Sequence, residues 1–326
     1  MAKASAVANP NIAFIKYWGK ADAALNLPAN PSVSMNLAAL TTVTTVEFRP
    51  GLLTDTVVID GQAASEEAQA RVVDHLERVR GMANLEDRAW VVSRSDFPVG
   101  TGLASSASAF AALSLAATQA AGLDLTEEEL SRLARLGSGS ACRSVPSGFT
   151  LWRGAEDQTS YARQVAPPGH WDLHDVVAVV TRQHKHTGSY KGHDLAPTSP
   201  LHQARLAAVP VWLDQVQQGI QGCDLAMMGD AIERDALAMH GVMLTSQPSL
   251  LYWEPATVVV LKAVRRWRDD GLQVYFTLDA GPNVHCICQA VDAEEVRTRL
   301  GNLPVVKDVL VSGPGSGVRQ VAYLLF

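Results

Sequence analysis

β-Branched residues crowd the segment TTVTTVEFRP (41–50), which predicts a strand. TDTVVIDGQ follows it, and its Asp60-Gly61 pair predicts a hairpin turn. AWVVSRSDF (89–97) predicts a further strand. The pattern then turns helical. An alanine-rich run from about Ser105 to Ala121 ends at Gly122, a helix stop, and Thr126-Glu127-Glu128-Glu129 forms a capping box for a second helix ending at Gly137. VVAVVT (176–181) predicts a fully buried strand. Helical segments follow near 203–220, where Pro210 is expected to kink or delay the helix, and near 226–242. Glu254-Pro255 opens another helix, ending at Gly271. Strands over 273–278 and 284–291 flank the turn DAGPN, AEEVRTRLG (293–301) predicts a last helix, and QVAYLLF a closing strand. The polar, proline-containing stretch QVAPPGHWDLHD (164–175) marks a crossing between two domains, residues 1–172 and 173–326. The sum predicts an α+β chain with two layers in each half.

Composition agrees with a folded chain long enough for two modest domains or one large one. Of 326 residues, 47% are hydrophobic and 18% charged, enough to bury a sizeable core. The net charge of -6, without a lysine or arginine block, argues against nucleic acid as a partner and leaves anionic small molecules open. The N-terminus lacks the apolar core of a signal peptide, and no apolar run approaches the roughly 18–20 residues of a membrane span. A cytoplasmic protein without membrane contact is expected. Cys142, Cys223, Cys286 and Cys288 form no CxxC pair and read as reduced thiols. His184 and His186 form an HxH without a third ligand candidate nearby, which reads as a polar loop.

Four stretches carry candidate chemistry. In 98-PVGTGLASSASAF-110 glycines and serines run directly into the alanine-rich helix. Gly100 and Gly102 let a backbone approach a ligand closely, and a helix start points unpaired N–H groups outward. With the Ser105, Ser106 and Ser108 hydroxyls, the stretch can cradle phosphates, and such a hydroxyl can also reach a metal ion. The alternative is a small-residue turn capping a buried helix, with Ser105 as N-cap. It is neither a GxxxxGK[ST] loop nor a GxGxxG fingerprint. The second stretch, GSGSACRSVPSG (137–148), sets Arg143 among hydroxyls, suited to gripping a carboxylate or phosphate. The third, TLDAGPN (277–283), places Asp279 at a strand end, although taken alone it is equally a plain turn. In the fourth, residues 10–37, Lys16 lies inside an apolar segment where a lysine needs a partner, while Lys20 is either a site residue or a surface lysine.

Together these stretches resemble one family. P-x-x-x-G-L-x-S-S-A is the phosphate-loop pattern of the GHMP kinases, the superfamily named for galactokinase, homoserine kinase, mevalonate kinase and phosphomevalonate kinase. Within it, NIAFIKYWGK, LNLPANPSVSMNL, FPVGTGLASSASAF, GSGSACRS and DAGPN are similar to the mevalonate diphosphate decarboxylases, and the likeness runs from about residue 8 to residue 290. The resemblance implies a GHMP-type two-domain fold, with a ribosomal-protein-S5-like N-terminal domain carrying the phosphate loop. A ferredoxin-like C-terminal domain would carry the catalytic aspartate, with the active site between the two. It implies MgATP-dependent phosphorylation of the 3-hydroxyl of a mevalonate phosphate, followed by loss of phosphate and CO2. By the same resemblance Asp279 orients and deprotonates the hydroxyl, Lys16 sits beside it, and Arg143 holds the substrate carboxylate. Ser106 faces the ATP phosphates and Mg2+. Ser138, Ser140, Tyr17 and Lys20 lie near the substrate phosphate. Relatives are commonly homodimers.

The departures bear on the substrate. Relatives that take the diphosphate commonly read KYWGKRD, where this chain has KYWGKADA with Ala21, and they carry an arginine in a segment matched here by SEEAQA (65–70), with Arg71 close by. Losing cations near the distal phosphate favours a monophosphate, mevalonate 5-phosphate, over the diphosphate. HKHTGSYKGH (184–193) differs as well, and its lysines and histidines can restore positive charge. A 3-kinase without decarboxylation remains a further alternative.

Overall fold

The computed structural model describes residues 3–97, 105–182 and 188–326. Gly100 and Gly102, and the His184 and His186 pair, lie outside these described residues.

Helices among the described residues are α1 (Glu66–Ala83), α2 (Ser105–Ala120), α3 (Glu127–Gly137), α4 (Ser189–Gly192), α5 (His202–Gly222), α6 (Leu225–Thr245), α7 (Pro255–Asp269) and α8 (Ala290–Gly301). Thr126 caps α3 as its sequence predicts, accepting from the Glu129 N–H while Glu129 reaches back to the Thr126 N–H. The Asp60-Gly61 turn joins Thr56–Ile59 to Gln62–Ala63, with both turn residues at positive φ.

Three larger sheets organise the chain, beside a two-stranded pair of Lys20–Asp22 and Leu27–Pro28. A six-stranded sheet orders Arg319–Val321, Lys3–Ala8, Thr42–Arg49, Arg88–Ser95, Thr56–Ile59 and Gln62–Ala63. A four-stranded sheet orders Tyr161–Ala166, Phe149–Arg153, Ser32–Asn36 and Asn11–Ile15. The third orders Val274–Thr277, Val284–Gln289, Leu173–Val179 and Asp308–Ser312. α2 packs on the first sheet, and α3 packs on α2 and on Tyr161–Ala166 of the second sheet. The many alanines of α2 (Ala111, Ala112, Ala116, Ala117) meet Ala4, Ala6 and Ala8, so helix and sheet approach closely. α7 and α8 cover the third sheet through Val260, Val264, Val296 and Leu300. A further core joins the second and third sheets: Ile12, Phe14 and Met35 meet Val177, Tyr275 and Ile287, with Met228 and Ile232 of α6 between them. α6 therefore lies where the two sheets meet, behind the strand that leads into Lys16.

Three expectations change. α1 joins the predicted elements; charged and alanine residues dilute its apolar stripe, and Ser65 caps it by accepting from the Ala68 N–H. α5 starts at His202 and runs through Pro210 without delay. The terminal strand stops at Val321. The residues beyond leave the ladder because Phe326 stacks on Trp90, 5.1 Å between centroids, and the Leu325 N–H donates to Thr45 Oγ1. That strand also returns the chain's end to Lys3–Ala8 in the first sheet.

Candidate active site

A cleft of about 240 Å³ opens where the strand Asn11–Ile15, the first turn of α2, the segment Gly139–Ser144, α4 and the turn after Thr277 converge. Lys16, Tyr17, Lys20, Ser105, Ser106, Ser138, Ser140, Arg143 and Asp279 all line it. Residues spread over more than 260 positions of sequence thus share one cavity.

Lys16 follows directly on its strand and is 2% exposed; its Nζ donates to Asp279 Oδ1 at 2.7 Å. This is the partner that a lysine in an apolar segment requires. Burial alone would raise the Asp279 carboxyl, but Lys16, His285 and Arg143 outweigh it and hold its pKa below the usual carboxylate value. Burial also lowers the Lys16 ammonium, against the pull of Asp279. The site therefore holds an ionised carboxylate in the cleft.

Arg143 is 3% exposed and has no carboxylate within ion-pair distance among the described residues. Its guanidinium donates from Nε to Asn11 Oδ1 (3.2 Å) and Ser34 Oγ (3.1 Å), and from Nη1 to Ser32 Oγ (2.7 Å). Burial lowers its pKa. A buried cation held only by neutral oxygens is poised for an anion.

Ser138 Oγ donates to Ser106 Oγ at 3.3 Å, joining the α3 end to the α2 start. Ser108 does not reach the cleft. It is fully buried, sharing a hydrogen bond with Thr42 Oγ1 at 2.8 Å and donating to the Ser105 carbonyl at 3.3 Å. Two residues along a helix turn a side chain by about 200°, so Ser106 and Ser108 face opposite ways.

Tyr17 stands with its ring 4.7 Å from Trp152 and 4.1 Å from His193, and its buried hydroxyl has no partner among the described residues. Gly139 passes so close that an added Cβ would lie 2.5 Å from the Tyr17 ring. Because two neighbouring rings pin that ring, Gly139→Ala is expected to lower stability by about 1–3 kcal/mol and raise substrate KM. Thermal denaturation and steady-state kinetics on the same preparation check this.

The far end of the cleft holds residues that the motifs do not mark. Ser65 phases α1 so that Glu67 and Arg71, four apart, share the face lining the cavity. Arg71 donates to the Gly137 carbonyl at 3.0 Å and lies 5.0 Å from the Tyr190 ring centre. Lys20 Nζ lies 4.0 Å from the centre of the same Tyr190 ring and pairs with Asp194 at 3.2 Å; Lys191 pairs with Glu67 at 3.6 Å. Ala21 is exposed and does not line the cleft. Strand alternation turns Lys20 inward and Ala21 out.

An α+β chain of two parts, with a buried lysine–carboxylate pair and a hydroxyl-rich helix start facing one cleft, is the class of small-molecule phosphoryl-transfer enzyme that the sequence resembles. Comparison with known proteins narrows this. Residues 8–162 match the diphosphomevalonate decarboxylase-like N-terminal domain and residues 175–310 the mevalonate 5-diphosphate decarboxylase C-terminal domain. The chain belongs to this decarboxylase family. It is 33% identical over 319 residues to a phosphomevalonate decarboxylase of Haloferax volcanii, covering 96% of both chains. It is 34% identical over 319 residues to a diphosphomevalonate decarboxylase of Aspergillus fumigatus, covering 90% of this chain and 78% of the relative. A solved structure described as MDDEF in complex with MVAPP, AMPPCP and magnesium superposes with a TM-score of 0.93 at 37% identity, covering 98% of each chain. The α+β, two-domain expectation and the family resemblance hold.

Proposed function

We propose that the protein uses MgATP to decarboxylate mevalonate 5-phosphate, giving isopentenyl phosphate, CO2, ADP and phosphate. The observation that carries the chemistry is the ionised Asp279 held by Lys16 in the same cleft as the acid-free Arg143. In this reading the substrate 3-hydroxyl attacks the terminal phosphorus of ATP while Asp279 takes its proton, and ADP leaves. The C3–O bond then breaks with its electron pair departing on phosphate. The C–CO2 bonding pair becomes the new double bond. Arg143 grips the carboxylate until CO2 forms, and the Asp279 side of the cleft favours positive charge developing at C3. Ser106 and Ser105 face the nucleotide phosphates; Tyr17, Lys20, Ser138 and Ser140 face the 5-phosphate.

ATP and magnesium are supported by the solved relative with AMPPCP and magnesium. Among the described residues no three His, Cys, Asp or Glu side chains gather to hold a metal, and the oxygens at the start of α2 are hydroxyls. That donor set fits an ion arriving on nucleotide phosphates, with Ser106 as a protein oxygen; such an ion neutralises phosphate charge. The reading also takes residues 1–172 as the phosphate-loop domain and 173–326 as the domain supplying Asp279. The protein is taken as a cytoplasmic homodimer; among the described residues no helix is long and apolar enough to cross a membrane.

The monophosphate is supported by charge at the far end of the cleft. Among the described residues Lys20, Arg71 and Lys191 face two carboxylates there, Asp194 and Glu67, which leaves one net positive charge for a second phosphate. The Haloferax volcanii relative carries the matching name. Ala21, turned outward, lends the reading less than its sequence position suggests. Arg71 favours the second reading, a diphosphate substrate, because it supplies a cation to the cleft. ADP and CO2 release measured side by side with mevalonate, its 5-phosphate and its 5-diphosphate decides. Preference for the diphosphate would overturn the monophosphate reading, and ADP without CO2 would make the protein a 3-kinase. The charge argument also predicts that Glu67→Gln with Asp194→Asn shifts relative kcat/KM toward the diphosphate by roughly 2–5-fold per carboxylate, the scale of exposed charge pairs. Unchanged selectivity in the double variant would discard it.

A further inference from the structure

We propose that α6, together with Arg205 of α5, is a positioning clamp that grips the backbone of both members of the Lys16–Asp279 pair. The proposal rests on the reading of that pair as the reacting centre. Asp235 of α6 accepts the Lys16 peptide N–H on Oδ2 at 2.6 Å. Arg205 donates from Nη2 to the Lys16 carbonyl at 2.8 Å and is tied to Asp235 Oδ1 from Nε (3.1 Å) and Nη2 (2.8 Å). Asn30 completes the ring, donating to the same carbonyl at 2.9 Å and accepting from Arg205 Nη1 at 3.3 Å. Five residues further along α6, His240 Nε2 lies 3.1 Å from the Asp279 carbonyl. A carbonyl only accepts, so His240 carries its proton on Nε2 and donates.

One helix thus holds the main chain at Lys16 and at Asp279, residues that follow strands of two different sheets. The ammonium and the carboxylate meet at 2.7 Å between the two grips. Nothing in this network touches the cleft except the pair itself: Asp235 and Arg205 side chains are 0% and 1% exposed. A buried ion pair is a weak source of stability compared with apolar packing of the same size. Its value here lies in direction, since both hydrogen-bonding groups of a single residue are fixed by it. α6 is suited to the task because its other faces are locked in three separate cores, through Ile232, Ala236 and Met239.

The groups facing Asp279 are Lys16, Arg143 from Gly139–Ser144, His285 from Val284–Gln289 and His240 from α6. Burial pushes the His240 ring down to about 4, so it stays neutral across an ordinary assay range. A pH profile therefore reads the pair and not His240 itself.

The test compares His240→Leu, His240→Gln and Asp235→Asn with the parent enzyme. ADP and CO2 release are followed below each variant's measured unfolding midpoint. Loosening the grip misplaces reacting groups by fractions of an ångström, so His240→Leu and Asp235→Asn are expected to lose about 10–100-fold in kcat with KM changed less than about 3-fold. The acid limb of kcat should move to higher pH, because a displaced ammonium no longer favours ionised Asp279. His240→Gln, which keeps a donor near the Nε2 position, should stay within about 3-fold of the parent. A folded His240→Leu with parental kcat and pH profile overturns the proposal. Should Asp235→Asn fail to fold, having left Arg205 unpaired, the His240 pair of variants still decides. The two readings fail separately. If Asp279→Asn is inactive while His240→Leu is parental, only the clamp is wrong; if Asp279→Asn keeps parental turnover, the reading of the reacting centre is wrong.

Discussion

Asp279→Asn is expected to reduce kcat by about 10²–10⁴-fold while leaving KM for both substrates within a small factor of the parent. The asparagine matches the carboxylate in shape, so the turn between Thr277 and Val284 and the Asp279 carbonyl's bond from His240 are retained. What is lost is the proton acceptor, and with it the ion pair to Lys16 at 2.7 Å. A tertiary hydroxyl is a poor nucleophile without a base beside it, and no other carboxylate among the described cleft residues stands near Asp279, since Glu67 lies at the other end on α1. The sign of the pH effect follows from the same contacts. Lys16 and Arg143 hold the carboxyl below its usual value, so the parent keeps its base ionised into mildly acidic solution and loses activity only as pH falls through that lowered pKa. Single-turnover ADP formation is the measurement. Parental turnover in the asparagine variant would remove Asp279 from the role of base.

How far the sequence could be read depends on whether a signal was local. The Thr126 capping box needs only four consecutive residues, and it forms as expected. The resemblance works similarly, because its motifs are short segments whose order survives in the chain. Signals that depend on phase are less legible. Ser105, Ser106 and Ser108 look equivalent in a glycine-serine stretch, yet once α2 begins at Ser105 the helical period sends Ser106 to the cleft and Ser108 to Thr42. Arg71 shows the same limitation in reverse: counted from SEEAQA it is displaced from the expected arginine, but the α1 register brings it beside Glu67 into the cavity. Ala21 and Lys20 are adjacent in sequence and opposite in space. The grip of Asp235, Arg205 and His240 on the reacting pair was invisible altogether. It joins Lys16 to Asp235 and Arg205, 219 and 189 positions away, and Asp279 to His240, 39 positions away, through backbone atoms, which carry no sequence signature.

Arg143→Ala is expected to act on binding as well as on turnover. Removing one partner of a desolvated, hydrogen-bonded charge pair costs about 2–5 kcal/mol, roughly 30- to 5000-fold in substrate KM. The magnitude is large because the parent site has already met the cost of burying the guanidinium. Arg143 is 3% exposed and faces Asn11, Ser32 and Ser34, none of which neutralises it. Substrate carboxylate would complete the pair. The alanine variant leaves that carboxylate without a cation and three polar side chains without their common partner. kcat should fall too, because the carboxylate must be aligned as it leaves. Ligand-induced thermal stabilisation gives a reading free of turnover: an added mevalonate phosphate should raise the unfolding midpoint of the parent and leave that of Arg143→Ala nearly unmoved, while ATP alone, which the proposed reading puts at the α2 end of the cleft, should stabilise both. If the mevalonate phosphate stabilises the variant as much as the parent, its carboxylate is held elsewhere, and the charge left unpaired at Arg143 needs another anion to explain it.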